Sequence, residues 1–261
     1  MWQDAKLLNA TANVLFSIVL LAMLVSGVWW VIHRPVFALH VVRVENEKTV
    51  GRQEGIQAEL RHVNTLTIRD QAVPKITGNF FTTNLEDVKQ AFESVPWVRK
   101  ASVQRVWPDT LVVRIEEHDV LGTWGEDGRL ISVAGDVFTA NLAEAEEDVQ
   151  LIEFSGPNGS EKEVVAQYLQ FKQWFASLNL EPEAVQYSSR YAWSVKLNNG
   201  LQVELGKVQE ANALKKRVDQ LIKVYPQLVT RLQGSIVSVD MRYPNGLALK
   251  TSNQSVVSNR K

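Results

Sequence analysis

The stretch from Leu7 to Ile32 reads LLNATANVLFSIVLLAMLVSGVWWVI and contains no charged side chain. About 20 helical residues, each rising about 1.5 Å, cross the ~30 Å hydrocarbon core of a bilayer. The most apolar part runs from Val14 to Ile32, with Trp29 and Trp30 where an aromatic belt meets the lipid headgroups. We therefore predict one N-terminal transmembrane helix, at residues 7–34.

Cleavage of this stretch as a signal peptide is the main alternative. Such a peptide needs a basic start, a shorter apolar core and a small-x-small cleavage site. Here Lys6 is the only basic side chain before the run, and Asp4 opposes it. A buried helix of a soluble domain would rarely stay uncharged over such a length. We therefore expect an uncleaved membrane anchor.

The composition of the chain excludes several classes of function. The formal net charge is −1, which indicates no nucleic-acid footprint, and the lack of cysteine excludes disulfides, thiol nucleophiles and thiolate metal sites. The four histidines, His33, His40, His62 and His118, are too scattered to form a helical metal-binding pair. Motifs for a serine nucleophile or a phosphate-binding loop are missing as well. We expect no enzymatic activity, no cofactor, and no small-molecule or nucleic-acid ligand.

The first soluble segment has the pattern of a small α+β unit, with helices on one face of a sheet. We expect its two tryptophans, Trp97 and Trp107, to be packing anchors. The predicted elements, in chain order, are a strand at Leu39–Val44, a short strand at Leu60–Val63, a helix at Thr67–Ile76 capped by Thr67, a helix at Asn84–Ser94, and strands at Val98–Trp107 and Leu111–His118.

Part of this segment resembles a known family. Gly78-Asn-Phe-Phe and the run VPWVRKASVQRVWPDTLVVRIEEH, from Val95 to His118, are similar to the POTRA domain of the FtsQ family of bacterial cell-division proteins. The resemblance implies a POTRA domain at residues 36–118. Within the run, Glu116-Glu117 point to opposite faces of a strand, so we do not expect them to act as an acid pair on one substrate.

The second soluble segment combines hairpin signals with two long helical patterns. Turns at Ala134-Gly135-Asp136, Asn198-Asn-Gly and Tyr243-Pro-Asn-Gly predict three hairpins. Ser160 and Glu163 fit a capping box, followed by a helix that places on one face Val164, Tyr168, Phe171 and Phe175. We also predict an exposed loop at Glu144–Asp148, and a basic helix at Val208–Val224 that ends at Tyr225-Pro226.

This segment resembles the β-domain of the same family. The residues that carry the likeness are Trp124, Gly135-Asp-Val-Phe, Trp193, Leu197-Asn-Asn-Gly, Val203-Glu-Leu-Gly, Leu221–Pro226 and Val239-Asp-Met-Arg-Tyr-Pro-Asn-Gly. The fold class is then α+β, with a short cytoplasmic tail at 1–6, the transmembrane helix, the POTRA domain, a mixed α/β β-domain at 119–251 built on antiparallel hairpins, and a disordered tail at 252–261.

A sheet edge is the candidate functional site. An outer strand carries unpaired backbone N–H and C=O groups and can accept a strand from another chain. We expect the last strand of the chain to be such an edge. The resemblance implies a binding site for the partner FtsB here, which by position comprises Tyr243, Asn245, Gly246, Leu247, Ala248 and Leu249, with Arg190 as a further candidate. Core packing is the alternative role of Tyr243, and a plain hairpin turn is that of Gly246.

The resemblance implies a divisome scaffold in the inner membrane at the division septum. Its N-terminus would be cytoplasmic and both domains periplasmic, with the FtsB–FtsL pair bound by the β-domain and other division proteins contacted by the POTRA domain and the transmembrane helix. The bias of Lys and Arg around the helix favours the opposite orientation, but long domains are translocated largely regardless of such charges. Two alternatives remain, a POTRA protein of outer-membrane assembly or secretion, and a membrane-anchored periplasmic hydrolase.

Overall fold

The computed structural model describes residues 2–32, 34–39, 41–47, 60–208, 210, 212–231, 236–243 and 246–252. The chain divides into two compact units, Met1–Glu117 and His118–Lys261, and each has its own sheet. Several predictions lie outside the described residues: those on His33, His40 and Asn245, and the disorder predicted for residues 253–261.

The regular elements alternate helices with short strands. The helices are α1 (Trp2–Ile32), α2 (Thr65–Gln71), α3 (Leu85–Glu93), α4 (Leu142–Asp148), α5 (Glu161–Phe175) and α6 (Ala213–Arg231). The strands are β1 (Val41–Asn46), β2 (Val98–Val106), β3 (Thr110–Glu117), β4 (Val120–Trp124), β5 (Arg129–Ser132), β6 (Val137–Phe138), β7 (Ile152–Ser155), β8 (Pro182–Tyr187), β9 (Ala192–Leu197), β10 (Gln202–Lys207), β11 (Ile236–Asp240) and β12 (Ala248–Thr251).

The apolar stretch forms one continuous helix, as its composition predicts. Helix α1 begins at Trp2, so the polar start of the chain is helical too. Residues Thr11–Ile32 are long and apolar enough to cross a membrane, with a mean hydropathy of 2.4 and no part buried. Just past the end of α1, the Arg34 guanidinium lies 3.5 Å from the ring centroid of Trp30. A cation and an aromatic ring therefore meet where the apolar span ends.

The first unit has the predicted order of strand, helix, helix, strand, strand. Strand β3 lies in the middle of its three-stranded sheet, with β1 parallel on one side and β2 antiparallel on the other. Asn84 caps α3 by accepting the N–H of Glu86 at 3.0 Å, and Asp87 adds a second acid to the first turn. Helix α3 then buries Val88 and Phe92 against the sheet, as its periodicity predicts.

The short strand predicted at Leu60–Val63 is wrong. The backbone N–H groups of Arg61, His62 and Val63 all donate to the carboxylate of Glu117, at 2.8 to 3.0 Å. Donors held by one side chain are not available to a neighbouring strand. The segment is therefore an irregular stretch that is tied to the end of β3.

The helix predicted at Thr67–Ile76 is shorter and begins earlier. Asn64, not Thr67, is the cap, because its side chain accepts the N–H of Thr67 at 2.7 Å. Helix α2 ends before Pro74, and the residues around this proline form a separate 3-10 turn, Val73–Lys75. Proline disfavours helical geometry in the residue before it and lacks an N–H group, so the α-helix does not continue.

Trp97 and Trp107, the two tryptophans of residues 36–118, have opposite environments. Trp97 is buried, and its ring stacks on His62 with centroids 3.8 Å apart, so the prediction of a packing anchor is confirmed there. Trp107 is 74% exposed, and for this residue the same prediction is wrong. It follows the last residue of β2 in the turn to β3, where Val106 and Pro108 are exposed as well.

The second unit is built on a nine-stranded sheet with the order β12-β11-β10-β9-β8-β7-β4-β5-β6. Most neighbours are antiparallel, as the predicted hairpins require, but the pairs β4–β7, β7–β8 and β10–β11 are parallel. Parallel neighbours need crossover connections, which here contain helices α4, α5 and α6. The domain is therefore mixed α/β.

Helices α5 and α6 pack on this sheet around one core. The predicted apolar face of α5, which consists of Val164, Tyr168, Phe171 and Phe175, is buried throughout. Phe171 meets Trp193 of β9 edge-on, with ring centroids 6.0 Å apart. Each fully buried side chain of this size contributes about 1.5–3 kcal/mol, so α5 is a principal source of stability for this unit.

The loop predicted at Glu144–Asp148 is wrong, because these residues belong to α4. Asn141 caps the helix by accepting the N–H of Ala143 at 3.1 Å, and Ala145 is fully buried. Alanine, leucine and glutamate are all favourable in helices. The acidic composition led to the prediction of a loop, whereas these residues belong to a short helix that buries only one side chain, Ala145.

The capping box predicted at Ser160 and Glu163 is also wrong. The Ser160 hydroxyl donates to the carbonyl of Pro157 at 2.6 Å, and its φ of −94° and ψ of 4° are not the extended conformation of a capping residue. Glu161, the first residue of α5, instead accepts the N–H of Gly159 at 3.0 Å. A carboxylate still satisfies a backbone donor here, but from a different position.

Helix α6 continues through Tyr225-Pro226, where the sequence predicts its end. The Thr230 hydroxyl donates to the carbonyl of Pro226 at 2.8 Å. Ile222 and Tyr225 pack against the core, and the Tyr225 hydroxyl accepts a hydrogen bond from Asn199 Nδ2 at 2.8 Å. Proline in a helix interior costs about 3 kcal/mol, and the packing of Ile222 and Tyr225 on the core contributes to offsetting this cost.

Candidate functional site

The terminal hairpin lies at one side of the nine-stranded sheet. Strand β11 pairs in parallel with β10 on its inner side and antiparallel with β12 on its outer side. The antiparallel register places Val239 opposite Leu249 and Asp240 opposite Ala248. Strand β12 is the outermost strand on this side, so within the described residues no strand pairs with its outer edge.

Alternate residues hold this hairpin onto the domain. Leu247 and Leu249 are half-buried and pack against the core. Ala248 and Lys250 lie between and after them and are exposed. Successive side chains of a strand point to opposite faces, so one face is anchored and the other is open. Among the described residues, no strand pairs with the outer backbone edge between these two faces.

A glycine bulge makes room for the turn that leads into β12. Strand β10 has a register shift between Glu204 and Gly206, and Gly206 has a φ of 74°. A Cβ atom on Gly206 would lie 2.8 Å from Cγ of Arg242, so a larger residue would displace this arginine. The N–H of Met241 donates to the carbonyl of Glu204 at 2.8 Å and attaches the turn to β10.

The charges in this turn are paired with each other. The Arg242 guanidinium binds the carboxylate of Asp240, and this hydrogen bond holds the pKa of Asp240 below its usual value. The same contact raises the pKa of Arg242. Both groups are therefore charged at neutral pH, and the ion pair fixes the start of the turn.

The predicted site residues differ in their exposure and in their position relative to β12. Tyr243 is 58% exposed, so it is not the core residue that the alternative interpretation required. A Cβ atom on Gly246 would meet nothing within 4 Å, so the described part of the chain leaves that position open. Leu247 directly precedes β12, and Ala248 and Leu249 are its first two residues, whereas Asn245 lies outside the described residues.

Arg190 lies at the same end of the sheet as Tyr243. It occupies the turn between β8 and β9, and the register from Ala192 of β9 to Lys207 of β10 places this turn beside the end of β10. Strand β11 ends next to the same region, because Glu204 is paired with Asp240. Strands in a sheet are about 4.8 Å apart, so the two turns are roughly 10–15 Å apart.

Tyr191 is a candidate that the sequence patterns did not select. It is 64% exposed and has a φ of 59°, in the left-handed region that few side chains adopt. Its ring meets that of Tyr187 edge-on at 6.0 Å, while Tyr187 stacks on the buried Trp193. In the sequence, Tyr191 is only an aromatic residue within a predicted turn. This pattern does not show whether its ring is buried or exposed.

Catalytic chemistry has no visible basis in the described part of the chain. Glu117 is occupied by three backbone N–H groups, while Glu116 pairs with Arg99 at 2.8 Å, so these two acids do not act as a pair. His62 stacks on Trp97, and His118 stacks on Phe138 at 4.0 Å. Within the same residues, no group of three or more His, Cys, Asp or Glu is placed to hold a metal ion.

Together these features define a class of protein, one in which an apolar N-terminal helix carries a βααββ domain and a sheet-rich second domain with an open edge. Comparison with known families identifies both domains. The FtsQ-type POTRA domain matches residues 56–118, and the C-terminal domain of the cell division protein FtsQ/DivIB matches residues 122–242.

Full-length relatives agree with this result. The chain is 44% identical to the cell division protein FtsQ of Burkholderia pseudomallei over 252 residues, covering 97% of this chain and 95% of the relative. It is 38% identical to FtsQ of Bordetella pertussis, covering 95% and 92%, and 35% identical to FtsQ of Nitrosospira multiformis, covering 96% and 99%. The chain belongs to the FtsQ/DivIB family of cell division proteins.

Family membership gives the chain a role in cell division and settles the choice among the three functions that the sequence left open. The match to cell division proteins favours the division role over outer-membrane assembly and over a membrane-anchored hydrolase. Helix α1 contains the one membrane-length apolar span found in the described residues, and together with this family it fits a single-pass inner-membrane protein that interacts with other division proteins.

Proposed function

We propose that this chain is a non-enzymatic divisome scaffold that binds the FtsB–FtsL pair by adding a partner strand to the outer edge of β12. The observation that carries this proposal is the position of β12 at the end of the nine-stranded order. Backbone hydrogen bonds would supply much of the affinity, and side chains on the two faces would supply specificity.

The residues near the start of β12 suit such an interaction. Tyr243 is an exposed, rigid and amphipathic side chain of the kind that often dominates binding energy. The open space at Gly246 lets a partner backbone approach closely. Arg190 and Tyr191, at the same end of the sheet, would extend the contact beyond the edge strand.

The proposed topology places the N-terminus in the cytoplasm and both domains in the periplasm at the division septum. The POTRA domain and the transmembrane helix would contact other division proteins. Confinement to the membrane surface raises the effective concentration of an anchored partner without requiring a new contact. Moderate affinity at β12 would then be sufficient for assembly at the septum.

Co-purification of FtsB and FtsL from crosslinked cells tests the site. Tyr243→Ala and Gly246→Trp should each reduce partner recovery about tenfold, as expected for the loss of a central interface residue worth about 1.4 kcal/mol or more. Leu169→Ala is the matched control, because Leu169 is 55% exposed on α5 and lies outside the proposed edge.

The thermal unfolding of each variant is measured in parallel, because a misfolded domain would also lose its partner. Unchanged recovery of FtsB and FtsL with both folded variants would exclude the edge of β12 as the binding site. Equal loss with Leu169→Ala would show that the effect is not local to the edge.

A further inference from the structure

A group of apolar side chains is exposed at one end of the first unit. Trp107 is 74% exposed, Val36 is 68% exposed, Phe81 is 48% exposed and Val106 is 44% exposed. We call these four residues the juxtamembrane patch. Large apolar side chains that are exposed together usually mark a surface that another phase or molecule covers.

Hydrogen bonds attach part of this patch to the end of α1. The side-chain amide of Asn79 donates to the carbonyl of Ile32, the last residue of the helix, at 2.8 Å. The N–H of Phe80 donates to the carbonyl of Phe37 at 2.9 Å, and the rings of Phe37 and Phe81 meet edge-on at 5.0 Å. Phe81 is therefore held beside the residue at which the apolar span ends.

A second link brings the turn between β2 and β3 to the same place. The Arg105 guanidinium donates to the carbonyl of Thr83, directly after the loop that contains Phe81. Trp107 follows two residues later, about 7 Å farther along the strand. The sheet register agrees, because Val41, at the start of β1, and Val106 are both paired with Thr110. The start of β1 is the end nearest to α1 in the chain.

The depth of these residues follows from the length of the helix. Thr11–Ile32 contains 22 residues and is about 33 Å long, close to the ~30 Å hydrocarbon core. Ile32 therefore lies where the acyl chains meet the headgroups. The headgroup layer is roughly 5–7 Å thick on each side of the bilayer. Tryptophan is enriched in this layer because its ring is apolar and its N–H group is polar.

We propose that the juxtamembrane patch rests in the headgroup region of the bilayer that α1 spans. The first unit then contacts the membrane twice, through α1 and through the side chains of Trp107 and Phe81, and this second contact sets its orientation on the membrane surface. The occupant of the patch is lipid rather than another protein, because the hydrogen bond between Asn79 and Ile32 makes the patch continuous with the membrane-spanning segment.

Site-directed spin labelling of the full-length protein tests this proposal. The chain contains no cysteine, so each single-cysteine variant carries one label. Trp107→Cys and Phe81→Cys are labelled in the patch, and Lys100→Cys is the control, since Lys100 is exposed and lies about 23 Å from Trp107 along β2. The labelled chains are reconstituted alone in vesicles of phosphatidylethanolamine and phosphatidylglycerol.

Accessibility to oxygen, which partitions into lipid, is compared with accessibility to a water-soluble nickel chelate. We expect the oxygen-to-nickel ratio to be several-fold higher at positions 81 and 107 than at position 100. Adding Trp107→Glu to the Phe81→Cys protein should lower the ratio at position 81. Ratios at both patch positions equal to that at position 100 would overturn the proposal, and would leave the patch as a surface for a protein absent from these vesicles.

Discussion

The Arg242 guanidinium holds the carboxylate of Asp240 with three hydrogen bonds, from Nε to Oδ1 at 2.9 Å and to Oδ2 at 3.0 Å, and from Nη2 to Oδ2 at 2.6 Å. The backbone N–H of Arg242 donates to the same carboxylate at 3.0 Å. Asp240 is the last residue of β11 and is paired with Ala248, the first residue of β12. The contact therefore lies at the end of β11, beside the point where the proposed binding edge begins.

Replacing Asp240 by asparagine should lower the free energy of unfolding of the second unit by about 1 kcal/mol, because a bidentate charged contact becomes a weaker neutral one. Urea unfolding followed by circular dichroism measures the change. Asp127→Asn is the control: Asp127 and Arg129 are 3.7 Å apart, and the side chain of Asp127 is 77% exposed. We expect that control to change stability by less than about 0.5 kcal/mol, and an equal effect of both variants would contradict this role of Asp240.

The contribution of Asp240 should depend on pH in a defined direction. Its hydrogen bond from Arg242 lowers the folded-state pKa, so the unfolded state binds the proton more tightly. The stabilisation is complete above the ordinary carboxyl pKa of about 4 and is lost as the pH falls through the lower folded-state value. The stability difference between the wild type and Asp240→Asn should therefore be full at neutral pH and smaller under acidic conditions, as urea titrations at several pH values would reveal. A stability difference between the two proteins that does not change with pH would contradict this role of the Asp240 carboxylate.

Glu117→Gln should destabilise the first unit by about 2 kcal/mol, since a charged acceptor for three backbone N–H groups becomes a neutral one. Hydrogen exchange at residues 61–63 provides a local readout and should accelerate. Glu116→Gln is the matched control, because Glu116 forms only a partly exposed pair with Arg99. We expect that change to be less than about 1 kcal/mol, and comparable losses in both variants would argue against the anchoring role of Glu117.

Trp97→Ala and Trp107→Ala should differ strongly in their effect on stability. Trp97 is 3% exposed, and its truncation should lower the free energy of unfolding by about 3–5 kcal/mol through loss of packing. Trp107 is exposed in its turn, and we expect its truncation to leave the unfolding free energy within about 0.5 kcal/mol of the wild type in detergent solution. Denaturation of the two variants side by side checks this expectation, which a severe loss in Trp107→Ala would disprove.

Gly122→Ala should destabilise the second unit by about 3 kcal/mol, because the new Cβ atom would overlap the backbone carbonyl of Ile152 on the neighbouring strand β7. Gly246→Ala is the control, since its Cβ atom would lie in open space. Melting temperatures of the two variants provide the comparison. Similar melting temperatures would mean that β4 and β7 can separate without loss of stability.

Local features of this fold were predictable from neighbours along the chain. The apolar run of α1, the buried face of α5 and the presence of helix α3 after residue 84 all follow from patterns within a few turns of helix. The hairpin between β9 and β10 also follows, because Gly200 supplies the left-handed φ of 81° that its turn requires. These elements depend on interactions that are close in sequence.

Other features depended on residues that are distant in sequence. Val63 is held by Glu117, 54 residues away, so no local pattern could show that Leu60–Val63 was not a strand. Tyr225, next to the proline within α6, packs on the core and bonds to Asn199, 26 residues away, and these contacts were not visible in the local sequence. The exposure of Trp107 could be predicted only if the end of strand β2, which lies just before this residue, was known. For the candidate site, the sequence predicted that the last strand is a sheet edge. Its place as the outermost of nine strands became known only from the complete strand order.

The outer edge of β12 also has a consequence for the protein before any partner arrives. An uncovered strand is a template on which two copies of the same chain could pair and begin to aggregate. Lys250 lies exposed on this strand and gives every copy a positive charge at the same position. Edge-to-edge pairing of identical chains brings these like charges together, whereas a partner with acidic residues does not. The exposed lysine on β12 therefore disfavours self-association, which would keep the proposed binding edge accessible to a different chain.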